Sequence, residues 1–249
     1  MRINKRYVLQ ALLLGLGLTL WAGLKALEAG QIYREGNAAY DGLRERVKEK
    51  DTTSGEKPQD SVPGIKINFD ELSSVNRDAA AWLYCPDTAI DYPVMRAEDY
   101  NYYLRRLPDG TSNANGSLFI DYNCAPDFSS KLTVIYGHNM RSGKMFGGLK
   151  GYKNQEYYEK HPFMYLYTEE GGRRIELIYA CVISAGKWRE QGFMYPENAG
   201  ALLSCAARST TFESGLNYAE GDRIIALSTC SYEFDGARFV VIGLIRDKN

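Results

Sequence analysis

Apolar and polar positions divide this chain into three unlike stretches. Residues 7–24 run Tyr-Val-Leu-Gln-Ala-Leu-Leu-Leu-Gly-Leu-Gly-Leu-Thr-Leu-Trp-Ala-Gly-Leu without a charge, just enough to cross a bilayer core as a helix. Arg2, Lys5 and Arg6 precede it, so the positive-inside rule makes residues 1–6 a cytoplasmic tail and puts the remainder outside the cell. Ala26 and Ala29 would also suit a cleaved signal peptide, but Lys25 and Glu28 interrupt that pattern. Residues 7–27 are therefore read as a single-pass anchor in the cell membrane. Residues 28–50 carry Ile32, Ala39, Leu43 and Val47 at helical intervals among Ala, Glu, Arg and Lys, which predicts a helix. Residues 51–63 are polar with Pro58 and Pro63 and predict a flexible spacer. Helix and linker, residues 28–63, are expected to hold a folded domain of residues 64–249 away from the membrane.

That domain opens with Asn68 as N-cap and Glu71 three residues on, predicting a short helix through Val75. Short β-type runs then alternate with turn clusters: Trp82-Leu83-Tyr84, then residues 90–94, 117–120, 132–136, 164–167, 175–183, 223–230 and 239–245. Many short strands at close spacing predict a mainly β sandwich or closed barrel. Ala199, Leu202, Leu203 and Ala206 mark one helical insertion within residues 196–209.

Composition narrows the function. The 249 residues carry 30 basic and 31 acidic side chains, so no basic excess points to nucleic acid. Nineteen tyrosines suit half-exposed strands. The five cysteines, Cys85, Cys124, Cys181, Cys205 and Cys230, are odd in number and dispersed, and there are two histidines. Neither a disulfide scaffold nor a zinc site fits, and no metal or other cofactor is expected.

The chemistry converges on Cys230. It ends the run Arg223-Ile224-Ile225-Ala226-Leu227-Ser228-Thr229-Cys230, Arg238 opens the next, and Asp235-Gly236 between them signals a turn. A hairpin centred near Phe234 sets Cys230 and Arg238 opposite each other. A cation there favours thiolate and can stabilise an oxyanion. His138 follows the run 132–136 after Gly137, which would let the chain turn sharply and present the imidazole at the sheet rim. His161, in Lys160-His161-Pro162, has a surface-loop context. His138 is therefore the better proton carrier for acyl transfer.

Tyr136-Gly137-His138, Leu227-Ser228-Thr229-Cys230 and Arg238 together resemble the sortases, transpeptidases of Gram-positive cell surfaces; Ala226 stands where their signature Thr-Leu-x-Thr-Cys has its first Thr. Asn68-Phe69-Asp70-Glu71-Leu72, Ile90-Asp91-Tyr92-Pro93-Val94, Tyr102-Tyr103-Leu104, Gly116-Ser117-Leu118-Phe119-Ile120-Asp121, Met145-Phe146 and Phe239-Val240-Val241 resemble class B in particular. The resemblance covers residues 65–245. It implies a closed sortase-type β-barrel with N-terminal helices and a helix inserted between strands six and seven. It implies that Cys230 attacks a threonine carbonyl in a C-terminal sorting signal of a surface protein. His138 would then move the protons, Arg238 bind backbone or oxyanion, and a peptidoglycan cross-bridge or pilin amine accept the acyl group. It also implies substrate contacts at Leu104 and Trp188, the latter as an exposed aromatic, with Ser228 and Thr229 flanking the nucleophile. Some class B enzymes carry an Asn near the histidine; here Tyr100 falls at that place, with Asn101 beside it. Two other readings are a cysteine peptidase that only hydrolyses and a non-enzymatic surface barrel that binds a partner. Papain-like enzymes place Cys before His, the reverse of the order here.

Overall fold

The computed structural model describes residues 5–50 and 62–246. The N-terminal apolar run and the following helical pattern form one continuous helix, α1 (Lys5–Val47), 43 residues long. It is long and apolar enough to cross a membrane. Leu12, Leu14, Leu18, Trp21, Leu24 and Leu27 are each more than 60% exposed, so these side chains pack against nothing among the described residues.

The C-terminal half of α1 docks on the folded domain, where the sequence predicts a helix that stands between the domain and the membrane. Its buried stripe is Gly36, Tyr40, Leu43 and Val47; Ile32 and Ala39 face outward. Tyr40 is decisive, because its ring meets Tyr92 edge-on at 5.0 Å. Its hydroxyl donates to the Gly116 carbonyl at 2.5 Å. Arg44 Nε donates to the Asp91 carbonyl at 2.9 Å, and Lys48 pairs with the Asp91 carboxylate at 2.7 Å. After Val47 the chain turns into β1 (Lys48–Lys50), which pairs antiparallel with β2 (Ile65–Ile67), so the predicted helix ends three residues early. The spacer's residues 51–61 lie outside the described residues. Helix α2 (Phe69–Val75) starts as predicted, with the Asn68 side chain accepting from Glu71 N at 3.0 Å.

Eight strands close the barrel: β3 (Ala79–Tyr84), β4 (Asp91–Met95), β5 (Leu118–Ile120), β6 (Leu132–Tyr136), β7 (Phe163–Thr168), β8 (Gly171–Ser184), β9 (Arg223–Cys230) and β10 (Ala237–Arg246). Their order around the barrel is β10-β8-β7-β3-β4-β5-β6-β9, and β9 pairs with β10 to complete it. All pairs are antiparallel except β4 with β5 and β6 with β9. Helix α3 (Gln155–Lys160) precedes β7. Between β8 and β9, the sixth and seventh barrel strands, lie α4 (Ala185–Glu190) and α5 (Ala199–Ala207), the latter within the predicted insertion. Every residue of β6 and all interior residues of β9 are buried. Their apolar runs are continuous because parallel neighbours are covered on both faces.

Candidate active site

The two parallel strands place the site. Because β6 and β9 run the same way, both end at one rim of the barrel, and antiparallel β10 starts from that rim. Cys230 is the direct register partner of Arg238, so their side chains leave the sheet on one face. Tyr136, the last residue of β6, is level with Ser228; His138 follows two residues past Tyr136, as Cys230 follows two past Ser228. Three hydrogen bonds lace these tips together. Gly137 N donates to Ser228 O at 3.3 Å, Thr229 Oγ1 to Gly137 O at 2.7 Å, and Asn139 Nδ2 to Cys230 O at 2.7 Å. Gly137 serves by its small size, because a Cβ there would stand 2.4 Å from Leu118 Cδ2.

Cys230 is exposed, whereas Cys85, Cys124, Cys181 and Cys205 are buried. Burial pushes the Cys124 thiol up to about 11 and that of Cys181 up to about 12, which leaves both inert near neutrality. Arg238 is half-buried, with no ion-pair partner among the described residues and no hydrogen bond at Nε. Its guanidinium lies 5.9 Å from the centre of the Tyr136 ring. Its charge is thus not spent on a carboxylate and remains open to a thiolate or an oxyanion.

His138 is oriented by a main-chain carbonyl. Its Nε2 lies 2.5 Å from Leu104 O, and a carbonyl only accepts, so Nε2 carries a proton. In the neutral ring Nδ1 is then bare and takes up a proton, which the imidazolium gives back from the same atom. Neither residue expected near His138 is oriented towards it by a hydrogen bond: the Tyr100 hydroxyl donates to Asp121 at 3.1 Å, and Asn101 is exposed. Leu104 acts on His138 through its backbone, while its half-buried side chain packs on the core.

Gly116 makes this arrangement possible. Its φ is +59°, and a Cβ there would stand 2.5 Å from Leu104 O and 2.9 Å from His138 Cδ2. Gly116→Ala is expected to cost about 1–3 kcal/mol and to displace the imidazole. Thermal melting and turnover check this; a variant equal to the parent in both would show that the carbonyl can shift freely.

The other expected contacts fall differently. Trp188, expected as an exposed cover for substrate, is 1% exposed. Its Nε1 donates to the Tyr136 hydroxyl at 3.2 Å, because α4 turns the ring inward onto the barrel end. Ser228 and Thr229 are buried at 1% and 3%. Thr229 is committed to the Gly137 carbonyl, and Ser228 Oγ has no hydrogen-bond partner among the described residues. Neither hydroxyl is presented to a peptide, since β9 is a covered central strand.

Two further residues shape the site. Asp121, fully buried, accepts from the Tyr136 hydroxyl at 2.8 Å and from Asn123 Nδ2 at 2.8 Å. Burial and the Asp121 charge push the Tyr136 phenol far above its usual range, so it stays a donor to that carboxylate. Trp188, Tyr136 and Asp121 thus form a fixed relay beneath Arg238. The Gly-Ser-Leu-Phe-Ile-Asp stretch holds Asp121, but nothing in it signals burial.

Beside His138 opens a cavity of about 610 Å³ whose wall includes Tyr33 and Asn37 of α1, Arg105, Arg141 and Tyr232. The β9–β10 turn that carries Tyr232 is tied down by Glu233, which bonds Lys153 and Ser231. Burial opposes the charge of Glu233, yet these two bonds outweigh it and hold its carboxyl down at about 2.

No family model matches the chain. Sortase B of Listeria monocytogenes is 33% identical over 190 residues, covering 74% of this chain and 76% of that protein. The crystal structure of Clostridium perfringens sortase B superposes with a TM-score of 0.65 at 28% identity, covering 72% of this chain and all of that one. The Staphylococcus aureus sortase B–substrate complex shares the fold at a TM-score of 0.71 and 23% identity, over 87% of this chain and 98% of that one. With an exposed cysteine, a histidine and an unpaired arginine at the rim of such a barrel, the chain belongs to the class B sortases, a family of cysteine transpeptidases.

Proposed function

We propose that this protein is a membrane-anchored transpeptidase acting outside the cell. It cleaves a C-terminal sorting signal of a surface protein after Thr and passes the acyl group to a cell-wall or pilin amine. The observation that carries this reading is the register pairing of an exposed thiol with a guanidinium that has no ion-pair partner among the described residues, at the rim where the chain leaving β6 carries His138. The Staphylococcus aureus relative forms a substrate complex on the same fold. Exposed apolar residues along the N-terminal half of α1, preceded by Arg2, Lys5 and Arg6, support the anchor and its orientation.

Cys230 thiolate adds to the threonine carbonyl carbon, and the carbonyl π pair moves onto oxygen, where Arg238 donates to the oxyanion. As the intermediate collapses, the C–N bond breaks and His138 gives its Nδ1 proton to the departing amine. A thioester remains. The incoming amine loses a proton to His138, attacks the same carbon, and expels Cys230 as thiolate, leaving a new amide.

The test incubates the full chain in detergent with a sorting-peptide library and a glycine-peptide amine, and looks for ligated product by mass spectrometry. Hydrolysed peptide alone would leave a cysteine peptidase. Arg238→Lys keeps the charge and loses the fork, so kcat/KM for ligation is expected to fall about 10²-fold. Unchanged kinetics would remove Arg238 from the reaction.

A further inference from the structure

The cavity beside His138 has features that the reaction as written does not use. Two guanidinium groups, Arg105 and Arg141, line it, both exposed and both without an ion-pair partner among the described residues. Two exposed aromatics, Tyr33 and Tyr232, flank it at 43% and 76% exposure. Its volume of about 610 Å³ is that of a site for a small ligand. Unpaired guanidinium groups facing one hollow select carboxylate or phosphate, because their fork of donors matches two acceptor oxygens.

What lines the cavity also says which reactant enters. His138 is in its wall; Cys230, Arg238 and Trp188 are not. A donor carbonyl must meet the thiol and the oxyanion-binding arginine, so this hollow is not where it lies. An amine needs the imidazole to take its proton, and from here it reaches His138. We propose that this cavity is the acceptor site, and that it selects an amine which carries its own carboxylate, held by Arg105 and Arg141. This rests on the transpeptidase reading above and specifies its second substrate.

Helix α1 gives the site a second property. Tyr33 and Asn37 form part of the wall, and Leu27, the last exposed leucine of the apolar half, lies six residues before Tyr33. At the α-helical rise this is about 9 Å. One rigid helix therefore joins the anchor to the acceptor cavity, and the acceptor enters close to the membrane face. Asn115 Nδ2 donates to Asn37 Oδ1 at 3.2 Å and Asn113 Nδ2 to the Ile32 carbonyl at 3.0 Å, which fixes α1 against that wall.

The experiment compares two acceptors that differ only in their far end, triglycine and triglycine amide, with the full chain in detergent and a donor peptide from the cleavage screen. An extended tripeptide spans about 10 Å, enough to separate a reacting amine from a gripped carboxylate. The unaltered protein is expected to use triglycine with an acceptor KM about tenfold or more below that of the amide. In the Arg105→Gln/Arg141→Gln double variant, that ratio should collapse towards one, and Arg105→Lys/Arg141→Lys should restore part of it. Equal KM values for the two acceptors in the unaltered protein would overturn the proposal without needing any variant. So would a preference that survives the double substitution. If neither acceptor gives a ligated product while the donor is still cleaved, the transpeptidase reading itself fails, and the two failures are distinct.

Discussion

Cys230→Ala is expected to abolish ligation and cleavage together, by about 10⁴-fold or more, while the protein melts as the parent does. The size follows from the role proposed for Cys230, forming the covalent intermediate; removing the nucleophile from a catalytic set typically costs most of what the whole set supplies. The intact fold follows from position. Cys230 is the last residue of β9 and exposed, its main-chain contacts to Asn139 and Arg238 are kept, and surface substitutions of this kind shift stability by about 0.5 kcal/mol or less. A thiol reagent supplies an independent check. Below pH 8 the parent should take up one equivalent rapidly and the variant none, because the other four thiols are buried and burial raises those of Cys85, Cys124 and Cys181. Cleavage persisting in Cys230→Ala would end the transpeptidase reading, whereas rapid labelling of a second cysteine would contradict the burial.

Trp188→Ala is expected to destabilise the fold by about 3–5 kcal/mol, the usual cost of emptying a buried aromatic site. In a domain of this size that lowers Tm by roughly 6–20 °C. Trp188 is among the largest fully buried side chains, its ring meets Phe193 edge-on at 6.3 Å, and its N–H is committed to Tyr136. Trp188→Phe keeps most of the volume and loses the hydrogen bond, so about 1 kcal/mol is expected for it. Thermal melting of the detergent-solubilised chain separates this role from the substrate contact that the sequence suggests. A contact residue would leave Tm in place and raise KM for the donor peptide. Any loss of activity in the folded Trp188→Phe variant would pass through Tyr136, whose ring lies under Arg238.

The strands were legible because each is a short apolar run closed by turn residues, and local pattern is enough to mark such runs; that they close into a barrel and not a sandwich was implied by the family resemblance alone. Cys230 and Arg238 were legible as a pair for the same reason: a hairpin is local, and counting outward from a centre at Phe234 yields the register that the structure has. The start of α2 was local too, since one side chain, Asn68, caps it. The helical stripe on α1 was not. Ile32 and Ala39 satisfy the helical period as well as Gly36 and Tyr40 do, but which face turns inward depends on Tyr92, Gly116 and Asn113, 52 to 81 positions away along the chain. Trp188 and Asp121 failed for the converse reason, because composition cannot tell an exposed tryptophan or aspartate from one sealed under a neighbouring strand.

By itself, then, the order of residues determined the strands, the pairing of Cys230 with Arg238, the histidine just past a strand end and an apolar segment fit to cross a membrane. Only the tertiary structure decided that α1 forms part of the domain, that Leu104 holds His138 by its carbonyl, and that Arg105 and Arg141 face one cavity with Tyr33. The first set rests on interactions between near neighbours, which periodicity records. The second rests on closing a barrel through the parallel β6–β9 pair, which joins residues about 90 positions apart and leaves no local trace.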